Sequence, residues 1–124
     1  MDADARQALA HAFEDRDLDQ VIGLLDPHVV WRGLQQPGEA TPICHSRAEV
    51  RAVFERALAG GQSGSPEIVA ESGDAVVIDP HPEPLGKGME ELHHIYRFRD
   101  GRIVTMEDYI DRQHALDALG RDEN

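Results

Sequence analysis

Residues 90–111 read Glu-Glu-Leu-His-His-Ile-Tyr-Arg-Phe-Arg-Asp-Gly-Arg-Ile-Val-Thr-Met-Glu-Asp-Tyr-Ile-Asp. Two β-prone runs flank Asp100-Gly101, a dipeptide that accepts the positive φ a tight reversal demands. A hairpin here constrains the chain more than any other stretch, because its register decides which side chains share a face. A two-residue turn would set His94 opposite Glu107. A three-residue loop over residues 99–101, with Gly101 as a bulge, would set Phe98 opposite Arg102. The second register is preferred because it sorts the side chains. Leu92, His94, Tyr96 and Phe98 then share an apolar face with Val104, Met106, Asp108 and Ile110. The other face carries His93, Ile95, Arg97, Arg99, Ile103, Thr105, Glu107 and Tyr109, a mixed surface. In either register His94 shares its face with an acidic residue.

The chain before the hairpin alternates two patterns. Ala5, Ala8, Leu9, Ala12 and Phe13 recur at helical spacing, which predicts a helix over residues 3–15. Asp17, with Gln20 three residues on, caps a second helix carrying Leu18, Val21, Ile22 and Leu25, and Pro27 stops it. Residues 28–32 read as a short strand with Val29 and Trp31 on one side, and residues 33–43 as a loop. Ser46 and Glu49 form a capping box for a third helix ending at Gly60-Gly61, with Val50, Val53, Phe54, Ala57 and Leu58 facing the core. Residues 62–66 are a connector. Strands over 67–71 and 75–78 turn at residues 72–74. Residues 79–88, with three prolines, form an irregular loop that could lie over a pocket mouth. Asp111 caps a short last helix through Leu119. Helices followed by consecutive strands predict an α+β fold, with three N-terminal helices on one face of a curved antiparallel sheet in one domain of residues 1–124.

Charge removes some functions from consideration. The 124 residues hold 24 acidic and 12 basic side chains, for a net charge of −12, and no basic patch stands out, so nucleic acid is not an expected partner. One cysteine cannot form an intrachain disulfide. The start is acidic and no apolar run is long enough for a span, so a cytoplasmic protein without membrane attachment is expected. Cys44-His45 is not a nucleophile pair, since neighbours on an extended segment point apart, and Cys44 is expected to be packed. His93 and His94 face opposite ways for the same reason and cannot chelate together, so no metal is expected.

The order of these segments resembles the cone-shaped α+β superfamily of nuclear transport factor 2, in its SnoaL-like branch. The carrying residues are Phe13-Glu14-Asp15-Arg16-Asp17-Leu18-Asp19, Leu25-Asp26-Pro27-His28-Val29-Val30-Trp31, Ser46-Arg47-Ala48-Glu49-Val50, residues 98–103 and Asp108-Tyr109-Ile110-Asp111-Arg112. The resemblance implies a deep pocket between sheet and helices, and homodimers. Measured against ketosteroid isomerases of this superfamily, the tyrosine position falls near Leu9, the base near Gly33, and the hairpin acid on His94. Two of three catalytic positions are lost, so steroid isomerisation in that form is not expected. SnoaL-like cyclases resemble a simpler scheme, in which one acid or base in an apolar cavity moves a proton.

His94 and Asp108 are the candidate catalytic pair, with His94 as base and Asp108 as orienter or itself the base. Trp31, Phe54, Tyr96, Met106 and Ile110 are the candidate ligand-binding residues. The expected function is a cofactor-independent enzyme of cyclase, isomerase or dehydratase type acting on an apolar small molecule. The alternative is a non-catalytic small-ligand-binding or association module on the same scaffold. A homodimer is expected through the outer sheet face, using Ile95, Ile103, Thr105 and Tyr109 beside Arg97 and Glu107.

Overall fold

A computed structural model describes residues 3–34, 42–61, 66–81, 93–109 and 111–121. Most of the expected loop over 79–88 lies outside these residues, as do Leu92, Ile110, residues 35–41 of the expected loop over 33–43 and residues 62–65 of the connector.

Helix α1 (Ala3–Asp15) buries Ala5, Leu9 and Ala12, the stripe its spacing predicts. It closes with Asp17 N–H donating to the Ala12 carbonyl and Arg16 in the left-handed region at φ 53°. Asp17 then caps α2 (Leu18–Gly23), accepting from the Asp19 N–H. Helix α2 stops four residues before Pro27, earlier than the proline rule predicts. The tertiary reason is that Leu25 already pairs with the last hairpin strand, and the Ile103 N–H donates to the Leu24 carbonyl at 2.8 Å. Strand β1 therefore runs Leu25–Leu34, twice the predicted length. Pro27 falls in the irregular part of its ladder, between Leu25 and Val30, where a missing N–H costs no regular bond.

A short strand β2 (Pro42–Cys44) follows, inside the stretch read as loop. Helix α3 (Arg47–Ala59) begins at Ser46, whose Oγ accepts from the Glu49 N–H as the capping box predicts. Strands β3 (Glu67–Ser72), β4 (Ala75–Asp79), β5 (His93–Arg99) and β6 (Arg102–Tyr109) complete the sheet, and α4 (Arg112–Arg121) ends the described chain. Asp111 starts α4, accepting from the Gln113 N–H.

The fold is α+β, as expected, with a curved, open sheet in the order β2-β1-β6-β5-β4-β3. The sheet is mixed rather than wholly antiparallel. β1 lies parallel to β6, and the other neighbours are antiparallel.

Alternation along the strands builds two cores. Val76 and Ile78 of β4 face inward with Trp31, Tyr96, Phe98, Ile103 and Met106, against Leu9, Ile22 and Val50 of the first three helices. Ala75 and Val77 face outward with Ile95 and Tyr109, against Ala115, Ala118 and Leu119 of α4. The helices thus lie on both faces. This corrects the expected dimer surface. Ile95 and Tyr109 are buried under the chain's own last helix, and Ile103 points into the inner core. Arg97 and Glu107 pair with each other at 3.0 Å, and Arg97 also donates to the Ala118 carbonyl of α4.

Candidate active site

The hairpin positions the site, by a route other than the expected one. Asp100 and Gly101 both take positive φ (53° and 78°), and Arg99 pairs with Arg102. The turn is therefore the two-residue form, not the three-residue loop. An irregularity follows at once. Arg97 pairs with Thr105 while Phe98 pairs with Ile103, which leaves Val104 as the extra residue of a bulge. A shorter turn and an added residue cancel in parity, so the same side chains share the inner face. Only Val104 and Ile103 exchange roles, with Ile103 fully buried and Val104 half-buried. His94 comes directly opposite Asp108, closer than the diagonal step expected.

Asp108 Oδ1 lies 2.7 Å from His94 Nδ1 and 2.8 Å from Trp31 Nε1. The indole arrives from β1 because the parallel pairing sets Trp31 beside Met106, two residues short of Asp108 on the same face. Aromatic rings surround the pair. Phe54 of α3 packs 5.3 Å from Trp31 between centroids, Trp31 meets His94 edge-on at 6.3 Å, and Tyr96 stacks on His94 at 6.0 Å. Met106 is fully buried between the strands that carry Trp31 and Tyr96. The structure thus brings together His94, Asp108, Trp31, Phe54, Tyr96 and Met106. Ile110, the remaining candidate, lies outside the described residues.

His94 and Asp108 keep 8% and 9% of their surface exposed, so the pair is nearly but not wholly closed off. Burial, with Asp108 close by, pushes the Tyr96 phenol well above its usual range and keeps it a neutral hydroxyl. Burial first, then Glu49 and Asp108, also pushes the Cys44 thiol up. Cys44 sits opposite Trp31, buried, while His45 is exposed, so the two point apart as expected.

Three features of this neighbourhood escaped sequence reasoning. The Trp31 to Asp108 bond joins residues 77 positions apart, and no local pattern encodes it. Cys44 reaches the site through a strand of only three residues. A second histidine–carboxylate pair, His93 with Asp79, lies on the outer face. The doubled histidine on a strand was its signal, since adjacent residues must serve opposite faces. A groove of about 600 Å³ also runs between α1 and β3, lined by Ala10, Phe13, Arg16, Pro66, Ile68 and His81 among others. None of the described site residues lines it.

A family model for the SnoaL-like domain matches residues 5–106, most of the described fold up to the middle of β6. The chain belongs to the SnoaL-like domain family. Solved structures similar to this SnoaL-like chain include an NTF2-like protein of unknown function from Burkholderia pseudomallei, 24% identical, covering 94% of this chain and 95% of that one, with a TM-score of 0.58. IdmH from Streptomyces antibioticus, described as a putative polyketide cyclase, is 23% identical over 95% of this chain and 97% of its own, with a TM-score of 0.59. An LEH-like epoxide hydrolase from M. tuberculosis is 20% identical over 94% and 87%, with a TM-score of 0.58. At these identities the likeness establishes the fold. The comparison with curated proteins yields no match. Among the described residues, no helix is long and apolar enough to cross a membrane.

Proposed function

We propose that this SnoaL-like chain is a cofactor-independent small-molecule enzyme of the cyclase, isomerase or dehydratase type, with His94 as its general base. The observation that carries the reading is the His94–Asp108 pair, buried among aromatic rings at 2.7 Å. A histidine whose Nδ1–H is held by a carboxylate presents Nε2 as a lone-pair nitrogen, the arrangement a base needs near neutral pH. In the proposed step, Nε2 takes a proton from the carbon beside a substrate carbonyl. The electron pair of that C–H bond becomes an enolate. The neutral hydroxyl of Tyr96 donates a hydrogen bond to the developing oxyanion. In a cyclase the enolate carbon then closes on a second carbonyl of the same molecule, and the resulting alkoxide recovers the proton from His94. Trp31, Phe54 and Met106 supply apolar contact to a carbonyl compound of low polarity. The similarity to a putative polyketide cyclase and an LEH-like epoxide hydrolase supports a small-molecule enzyme of this general type.

The test is deuterium wash-in at the α-carbon of a panel of apolar ketones and diketones. Wild-type protein is expected to accelerate exchange, and His94→Ala to lose about 10²- to 10⁴-fold while remaining folded. Equal rates in the two proteins would sink the assignment.

A second reading, a non-catalytic small-ligand-binding module, is favoured by one observation. Trp31, Tyr96 and Met106 are part of the packed inner core, with Phe54 against it. On that reading His94→Ala weakens ligand binding modestly and changes no rate.

The homodimer is proposed on the part of the outer face that α4 leaves uncovered. There Val30, Thr105 and Ile43 alternate with the inward-facing Trp31, Met106 and Cys44, and Ile43 is 48% exposed.

A further inference from the structure

We propose that Trp31 is a positioning residue that holds the Asp108 carboxylate in the orientation that keeps the proton of His94 on Nδ1. The inference builds on the His94–Asp108 pair read above as a proton-transfer site, yet it can be tested without a substrate.

The argument is one of donors and acceptors. An indole N–H only donates. At 2.8 Å from Asp108 Oδ1, Trp31 Nε1 occupies one in-plane lone pair of that oxygen. His94 Nδ1 approaches the same oxygen at 2.7 Å. A second lone pair facing it would leave two acceptors in contact, so Nδ1 must be the protonated nitrogen. The neutral ring is then the Nδ1–H form, and Nε2 keeps its lone pair on the side away from Asp108. Among the described residues Nε2 has no hydrogen-bond partner.

Trp31 does more than add a bond. A carboxylate held only by His94 can turn and offer either oxygen. Trp31 removes that freedom, because its own place is set by three neighbours. Cys44 and Met106 flank it in the adjacent strands, and Phe54 packs on its ring. The indole thus transmits the register of the β1–β6 pairing to the imidazole. A contact that served packing alone would satisfy the indole N–H and leave the His94 tautomer where Asp108 alone puts it.

The chain has a single tryptophan, so its indole signal is unambiguous. The experiment is nitrogen NMR on the uniformly labelled full chain, at a pH where imidazoles are neutral. Wild type is expected to give a protonated Nδ1 and an unprotonated Nε2 for His94. In Trp31→Phe, which keeps a ring but removes the donor, the ratio of the Nδ1–H to the Nε2–H form is expected to fall about tenfold, the scale of one hydrogen bond to a charged group. Phe54→Leu disturbs the packing but not the bond, and is expected to leave the ratio unchanged. An unchanged ratio in Trp31→Phe overturns the proposal, as does an equal fall in Phe54→Leu. If Trp31→Phe does not fold, Asp108→Asn serves instead. The Trp31 indole proton should then move upfield and exchange with solvent about tenfold faster, having lost a charged acceptor. An indole proton that does not respond rules the proposal out. Failure of the deuterium wash-in with the tautomer still fixed would remove the enzyme reading and leave the role of Trp31 standing.

Discussion

Tyr96 shows what burial does to a single titratable group. Its ring is 4% exposed, stacked on His94, and the nearby charge of Asp108 adds to the cost of ionising it. The folded protein therefore holds the phenol neutral at a pH where the unfolded chain has begun to ionise. The unfolded phenol titrates near pH 10. Below that pH the contribution to stability is complete, and it is lost as pH rises from there toward the higher folded value. Denaturation midpoints are expected to fall above about pH 10. Tyr96→Phe should flatten that alkaline slope while changing stability at neutral pH by about 1 kcal/mol or less, since the hydroxyl has no hydrogen-bond partner among the described residues. A slope unchanged in the variant would mean that other groups control alkaline unfolding.

Among the elements, α4 carries the largest consequence. Its buried side chains are small, Ala115 and Ala118 with Leu119, which lets the helix lie close on the sheet. Its contact is also polar. The Ala118 carbonyl accepts from Arg97, whose guanidinium pairs with Glu107, and Tyr109 donates its hydroxyl to the same Glu107 oxygen at 3.3 Å. This half-buried ion pair adds little net stability, but losing one partner would leave the other poorly satisfied. Ala115 has no exposed surface. Ala115→Asp would bury a carboxylate in the apolar contact of α4 with Val77, Ile95 and Tyr109, on the face where Arg97 is already paired with Glu107. A loss of roughly 2–4 kcal/mol in urea denaturation is expected, with α4 released first. A loss under about 0.5 kcal/mol, the range of ordinary surface changes, would mean that α4 is not docked in solution.

For the whole molecule, coverage decides assembly. Helix α4 packs on β3, β4, β5 and β6 and leaves the β1 and β2 end of the outer face open. Ile43 is one of two large apolar side chains that stand exposed among the described residues. Sedimentation of wild type at micromolar concentration is expected to show a dimer, and Ile43→Glu a monomer with unchanged circular dichroism. A wild-type monomer would remove the dimer proposal. The net charge of −12 acts against close approach of two copies, so dimerisation should strengthen with salt.

What was legible in the chain was local. Helical stripes, the Ser46 and Asp111 caps, the Asp100-Gly101 reversal and the alternation that sets His94 with Tyr96 each depend on neighbours a few positions apart. The sharing of one face by His94 and Asp108 survived a wrong turn type, because period-two alternation preserves parity when a bulge compensates a shorter loop. Decisions between distant segments were not legible. The parallel pairing of β1 with β6, which brings Trp31 to Asp108, joins strands separated by most of the chain. Docking of α4 on the outer face depends on which surface the first three helices leave bare. Such choices are made by the total apolar area buried and the polar groups satisfied when the segments meet, and neither quantity exists in any one stretch of sequence. The sequence by itself determined most of the helices and the two faces of the hairpin strands, and the tertiary structure decided the extent of β1, the presence of β2 and what lies against each face.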